Sequence, residues 1–287
     1  MTLIIAGHSL QQSYSSKSEY CDGIYFAADS VISQGQKVLV SGFKKVVRFP
    51  IKVKAVNNAG GQFRGYHGDW YEGGCAVAFA GSTLVAQHMM NSIGNHLMDL
   101  RPTYENGLYV LAMPCEQRRH ASGYYDEDMF QRNFLGPNCL LSADYISQVV
   151  KHSIEAVLNT SKKYDGMKEF FESYRAEFIL ALKCPETHTY RLYRYEIDKE
   201  QGGTAFVKMV ETPFGSVAVI GLRERFGEQA EGAQRMAIDS GERTASAMFN
   251  YLLHTVDERN GIGNFDIGRP CHLYRLIEQS LEIDERI

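Results

Sequence analysis

The sequence predicts an α+β protein: a four-layer αββα sandwich of two mainly antiparallel sheets packed face to face, with helix pairs covering the outside. Three observations predict it. Apolar runs rich in β-branched and aromatic residues, separated by polar or glycine-rich breaks, fill the N-terminal third. The apolar period then turns helical, returns to strands, turns helical again and closes on a strand. Hairpin-length breaks rather than βαβ crossovers join most of the strands, which favours antiparallel pairing. No proline- or glycine-rich linker divides the chain, so residues 1–287 read as one domain with insertions near 7–22, 51–74 and 101–141.

The elements follow in order. TLIIAG (Thr2–Gly7), GIYFAAD (Gly23–Asp29), KVLV running on to KKVVRF (Lys37–Phe49) and CAVAFAG (Cys75–Gly81) read as strands. HSLQQSYSSKSEYCDG, between the first two, is polar and reads as a long hairpin tip or loop. STLVAQHMMNSIGNHLMDL places Leu84, Val85, Met89, Ile93 and Leu97 at near-helical spacing, with Ser82 or Thr83 to cap it. A second helix spans about 142–160, capped by Ser142. AEFILALKC and TYRLYRYEI flank a short turn at Pro185–Glu186 and read as a hairpin. FVKMV and SVAVIG are further strands. RFGEQAEGAQRMAIDS and ERTASAMFNYLLHTV are amphipathic helices, and CHLYRLI closes the fold.

Composition excludes several functions. A net charge of −4 and a pI near 6.2 give no electrostatic reason for a nucleic-acid or anionic-membrane partner. The start lacks a basic region, and its apolar run is too short for a signal peptide; no stretch approaches the length of a membrane span. The expectation is a cytoplasmic protein. The six cysteines form no CxxC pair and the nine histidines no HExxH, so reduced thiols and ordinary histidines are expected, with no metal site. Without a P-loop or GxGxxG, no cofactor is expected.

Four residues carry a possible chemistry. Removal of Met1 would leave Thr2 as the N-terminal residue, with a hydroxyl and an α-amine on one carbon framework. The hydroxyl is a poor nucleophile and needs a base. The α-amine, with an ordinary pKa of about 7.7–8.0, supplies one near neutral pH. A lysine cation nearby would lower that pKa and stabilise negative charge developing on the oxygen. Lys45 in GFKKVVRF is the candidate, and Asp29, ending FAAD, would hold it. Gly81 in FAGST, at a strand-to-helix junction, is a candidate oxyanion-hole position where a carbonyl can approach the backbone.

Taken together, TLII at the N-terminus, GIYFAADS, SGFKKVVRF and AVAFAGST before a long helix resemble the β-subunit family of the proteasome and its bacterial peptidase relatives, the threonine peptidases among the N-terminal nucleophile (Ntn) hydrolases. The resemblance spans most of the chain as an order of elements and is specific only in the first ninety residues. It implies the Ntn-hydrolase fold, with Thr2 as nucleophile, Asp29 as structural aspartate, Lys45 as the family lysine and Gly81 in the oxyanion hole. It implies a peptide or unfolded-protein substrate and a self-compartmentalising homo-oligomeric ring; whether an unfoldase partners it, the sequence does not give. VDERNG (Val256–Gly261) resembles the family's D-x-x-S-G turn, which would set Asp257 beside the N-terminus; Asp266 is the competing candidate.

The departures are specific. Leu222 stands where the family strand I-G-S-G has serine, and Asn260 where the later turn has its serine. Asn260 could substitute through its side-chain oxygen, or Arg223 or a neighbouring hydroxyl could reach the site. Leu222 motivates a second reading, a catalytically inactive ring-forming assembly or binding protein on the same fold. A third is a small-amide hydrolase with the same chemistry. NNAGGQFRGYHGDWYEGG (Asn57–Gly74) reads as an exposed loop, or as one that narrows a substrate entrance or builds a subunit contact.

Overall fold

Successive side chains on a strand point to opposite faces, and the apolar alternation of this chain uses both. The computed structural model describes residues 2–12, 19–34, 37–116, 125–164, 170–199 and 205–287. In β1 (Leu3–Gln12), Leu3 and Ile5 belong to one buried cluster and Ile4 and Ala6 to another. β2 (Glu19–Asp29) divides the same way, Tyr25 and Ala27 against Ile24, Phe26 and Ala28. Two short strands, β3 (Ile32–Gln34) and β4 (Lys37–Val40), pair with each other. The long β5 (Val46–Ala59) and β6 (Gln62–Gly81) form one hairpin. β7 (Arg101–Glu105) and β8 (Leu108–Ala112) form another. The remaining strands are β9 (Ala176–Lys183), β10 (Tyr190–Lys199), β11 (Ala205–Glu211), β12 (Val217–Gly221), β13 (Cys271–Ile277) and β14 (Ser280–Arg286).

Two five-stranded antiparallel sheets result, ordered β12-β1-β2-β13-β14 and β11-β10-β9-β6-β5. The cluster containing Ile4, Phe26 and Ile220 from the first sheet also contains Ala76, Ala78, Ile179 and Leu192 from the second. Among the described residues four long helices accompany the sheets: α1 (Thr83–Leu97), α2 (Ala143–Ser161), α3 (Arg223–Ser240) and α4 (Thr244–Gly261). Met89, Ile93, Ile146 and Val150 of α1 and α2 share a cluster with Val77, Phe79 and Phe178 of the second sheet. Phe226, Met248 and Leu252 of α3 and α4 share one with Leu3, Tyr25 and Leu273 of the first. Each fully buried Leu, Ile or Phe contributes about 1.5–3 kcal/mol relative to exposure. No described helix is long and apolar enough to cross a membrane.

Several local expectations change. Lys37–Phe49 is not one strand: the chain turns at Gly42, at φ +76°, and Lys45 lies in the extended stretch just before β5. The stretch Asn57–Gly74 is not a loop but the outer part of the β5–β6 ribbon, whose register shifts at three places. On β5 Lys52, Lys54, Asn57 and Asn58 are half-buried, and on β6 most of residues 62–72 are exposed, a polar pattern that reads as loop in sequence. The 7–22 segment is mostly β1 and β2 continuing outward; its tip at 13–18, like residues 117–124 of the 101–141 insertion, lies outside the described residues. Ser142 caps α2 through its hydroxyl, which accepts from the Tyr145 N–H, whereas Ser82 holds the α1 N-cap position without a side-chain bond. VDERNG is not a turn: it forms the last turns of α4. The reason is a buried anchor, Arg259 donating to Asp266 at 2.6 and 3.2 Å, which extends the helix beyond its apolar stripe.

Candidate active site

Thr2 immediately precedes β1, and the end of β12 fixes it. The Leu222 N–H donates to the Thr2 carbonyl at 2.9 Å. Gly221, opposite Leu3, has φ +85°, and a Cβ there would lie 1.9 Å from the Thr2 carbonyl oxygen. Only glycine lets β12 end and turn into α3 against Thr2. Position 222 therefore holds Thr2 through its backbone, although a leucine side chain offers no hydroxyl.

Asp29 ends β2 and is clamped by the strands around it. Its Oδ1 accepts from the Leu3 N–H at 2.9 Å and its Oδ2 from the Val31 N–H at 3.1 Å. Lys45 arrives from the second sheet, its carbonyl accepting from the Phe79 N–H at 3.1 Å. Its Nζ lies 2.9 Å from both Asp29 oxygens, 2.7 Å from the Val31 carbonyl and 2.8 Å from Thr2 Oγ1. An ammonium has three N–H donors, and three acceptor groups surround it. Thr2, Asp29 and Lys45 are 9, 1 and 3% exposed. Burial pulls the Lys45 ammonium below the ordinary lysine range, and Asp29 opposes it. Burial likewise pushes the Asp29 carboxyl up, against the pull of Lys45 and of the two backbone N–H groups.

Two cavities meet at Thr2, Ala80 and Gly81. One, of about 440 Å³, is lined on its apolar side by Ile32, Leu39, Phe43 and Phe79. The other, of about 490 Å³, carries Arg175, Glu177, Glu196 and Arg223. Glu177 and Glu196 face each other across the β9–β10 register. Arg223 Nη2 lies 3.1 Å from Glu196, and Glu177 Oε2 accepts from the Gly221 N–H at 2.6 Å. Burial pushes the Glu177 carboxyl up, opposed first by the Gly221 bond and then by Arg223. This acidic pair was missed in sequence, where only a carboxylate inside the apolar run AEFILALK signals it.

Gly81 lies on the wall of both cavities, at φ +104°. Its lack of a Cβ is needed for chain packing first: a Cβ would sit 2.4 Å from the Arg175 carbonyl oxygen. The structure brings Thr2, Asp29 and Lys45 into direct contact and sets Gly81 beside them. It does not do so with the remaining candidates. Asp257 is exposed on α4 and pairs with Arg269 at 2.8 Å. Asn260 is on the same helix end, its Oδ1 buried with no partner among the described residues. Asp266, the alternative, is committed to Arg259, and its backbone carbonyl accepts from Ser33 Oγ at 3.1 Å. Arg223 reaches the Thr2 cavity but is engaged by Glu196 and Glu177.

No family model matches this chain, and no curated protein matches it in sequence. Solved structures do match in shape. An Anbu (Gly-1) mutant from Hyphomicrobium sp. strain MC1 superposes with a TM-score of 0.50 at 13% identity, over 100% of this chain and 86% of that one. Anbu, an ancestral beta-subunit, from Yersinia bercovieri gives 0.49 at 14% identity, over the same shares. At such identity the first likeness shows the fold alone: a sheet-rich α+β architecture of the proteasome-like type.

Proposed function

We propose that this chain is an N-terminal threonine hydrolase, active once Met1 is removed and cleaving peptide or amide bonds through an acyl-enzyme. The observation that carries the reading is the 2.8 Å contact of Lys45 Nζ with Thr2 Oγ1, made by a lysine buried on an aspartate. The three apolar clusters support the four-layer αββα arrangement of an Ntn hydrolase. Residue 1 itself lies outside the described residues.

In the proposed reaction the freed α-amine of Thr2 takes the hydroxyl proton as Oγ1 bonds to the substrate carbonyl carbon. The carbonyl π electrons move to oxygen, and backbone N–H groups around Gly81 receive that oxyanion. The ammonium returns the proton to the departing amide nitrogen, the C–N bond breaks and an ester remains on Thr2. Water then cleaves the ester by the same relay. Lys45 stabilises negative charge on Oγ1, and Asp29 positions Lys45. Glu177 and Glu196, bridged by Arg223, line the Thr2 cavity beside position 222, where leucine offers no hydroxyl. The cavity lined by Ile32, Leu39, Phe43 and Phe79 takes an apolar substrate side chain.

The proposed assembly is a homo-oligomeric ring, supported by Leu84, 83% exposed beside a groove lined by Val85, Val157 and Tyr174. The test is hydrolysis of fluorogenic peptides by wild type and Thr2→Ala, with assembly followed by light scattering. Loss of hydrolysis with assembly intact supports the mechanism; retained hydrolysis refutes it. The leucine at 222 favours a second reading, an inactive assembly protein. Intact mass separates the two, since Met1 retained on every chain blocks the Thr2 amine.

A further inference from the structure

Away from Thr2, three side chains from separate segments converge beside the α1–α2 pair. His96 lies in the last turn of α1, His152 midway along α2, and Cys115 on the single turn Pro114–Glu116 that follows β8. One ligating atom from each lies within 4.8 Å of the other two. The Cys115 Sγ is 3.2 Å from His152 Nε2, and the two imidazole rings are 5.5 Å apart.

The surroundings fix which atom His96 offers. Its Nδ1 is 2.8 Å from the hydroxyl of Ser153, which is fully buried. That hydroxyl donates its own proton to the Val149 carbonyl at 2.7 Å, so toward His96 it can only accept. His96 therefore carries its proton on Nδ1 and keeps a lone pair on Nε2. An outer hydrogen bond that sets the tautomer and ring orientation is the usual support of a metal-ligating histidine.

The geometry points to a transition-metal site of the zinc class, with His96 Nε2, His152 Nε2 and the Cys115 thiolate as ligands. Two imidazoles and a thiolate match the preferences of Zn²⁺. A tetrahedral Zn²⁺ with Zn–S of about 2.3 Å and Zn–N of about 2.0–2.1 Å sets sulfur and nitrogen about 3.6 Å apart. The Cys115–His152 pair needs to open by only a few tenths of an ångström, and the three atoms to close in around the ion. On binding, the Cys115 thiol loses its proton to solvent, the thiol–imidazole hydrogen bond is replaced by two bonds to the metal, and no electrons are transferred. Cys115 is exposed, which leaves a water to complete the coordination. The ion then ties α1, α2 and the 111–116 segment together. The site is independent of the Thr2 chemistry.

Titration of the full-length protein with Zn²⁺ by calorimetry, and with Co²⁺ as an optical probe, tests this. Expected are one ion per chain, a thiolate-to-Co²⁺ charge-transfer band with tetrahedral d–d absorption, and a Tm that rises with Zn²⁺. Cys115→Ser should abolish the charge-transfer band, and His96→Gln and His152→Gln should each weaken Zn²⁺ binding at least about tenfold. The metal-free variants are compared by circular dichroism, so a folding failure is seen separately. Cys139→Ser, at an exposed cysteine outside the cluster, should leave the isotherm unchanged. Absence of stoichiometric binding by the wild type, or equal binding by wild type and Cys115→Ser, overturns the assignment.

Discussion

Replacing Lys45 by methionine isolates what the buried cation does. The change roughly keeps the volume but deletes the donors to Thr2 Oγ1, to the Val31 carbonyl and to both Asp29 oxygens. Asp29, with a side chain 0% exposed, is left with only the Leu3 and Val31 N–H groups. Stranding one partner of a buried ion pair costs about 3–5 kcal/mol, and that is the expected loss of unfolding free energy near pH 7.5. The double variant Lys45→Met/Asp29→Asn removes the stranded charge and should recover a large part. The pH dependence follows from the sign of the Asp29 shift. Burial already raises its folded pKa, and removing Lys45 removes the main opposing pull. A group whose folded pKa lies above its unfolded value of about 3.9 stabilises below that value and loses this contribution as pH rises through the folded pKa. The deficit of Lys45→Met should therefore be full above the folded pKa of Asp29 and shrink as pH falls through it. Urea denaturation across pH reads the stability, and peptide hydrolysis reads the site, with an expected fall in kcat/KM of about 10²–10³. A loss under about 1 kcal/mol with unchanged hydrolysis would show that the cation neither holds the site nor serves it.

Other perturbations follow from the same geometry. Gly221→Ala forces a side chain onto φ +85° and into the Thr2 carbonyl; it should cost at least about 1–3 kcal/mol in urea unfolding and lower hydrolysis further by displacing Thr2. Tyr25→Phe removes the 2.9 Å bond to Gln234 Oε1 in a fully buried pair whose Gln234 Nε2 already has no partner among the described residues, and should cost about 1–3 kcal/mol; adding Gln234→Leu should recover part of it. His8 is 2% exposed, and burial lowers its pKa against the opposing bond to the Tyr190 carbonyl. Its contribution is present above the unfolded value of about 6.5 and is lost as pH falls through the folded one, so His8→Gln should flatten the fall of stability on the acid side of about pH 6.5 in thermal melts.

The legible parts of the fold are those whose pattern is local. β1, β2, the inner end of β6, the β9–β10 hairpin and all four long helices show apolar alternation or helical period that matches the faces they bury. β14 is not legible: SLEIDER is charged and mostly exposed, and its strand is set by pairing with β13. The outer β5–β6 ribbon fails for the same reason, its order coming from cross-strand bonds rather than burial. For the site, Thr2, Asp29 and Lys45 could be chosen by chemical type, and the structure joins them. Asp257 and Asn260 could not, because the Arg259–Asp266 anchor turns their segment into helix. Glu177 faces Glu196 only through strand register, and His96, Cys115 and His152 meet only where the turn after β8 packs beside two helices. No sequence spacing encodes either group.

The freed terminus at Thr2 is the proposed reactive group of this chain. Reaction with an electrophile directed at N-terminal threonine, followed by peptide mapping of the adduct in wild type and Lys45→Met, tests it most directly. Expected is one adduct per chain, on Thr2 of chains that have lost Met1, formed markedly more slowly without Lys45. An adduct at another residue, or none on chains whose mass shows Thr2 already exposed, would contradict it.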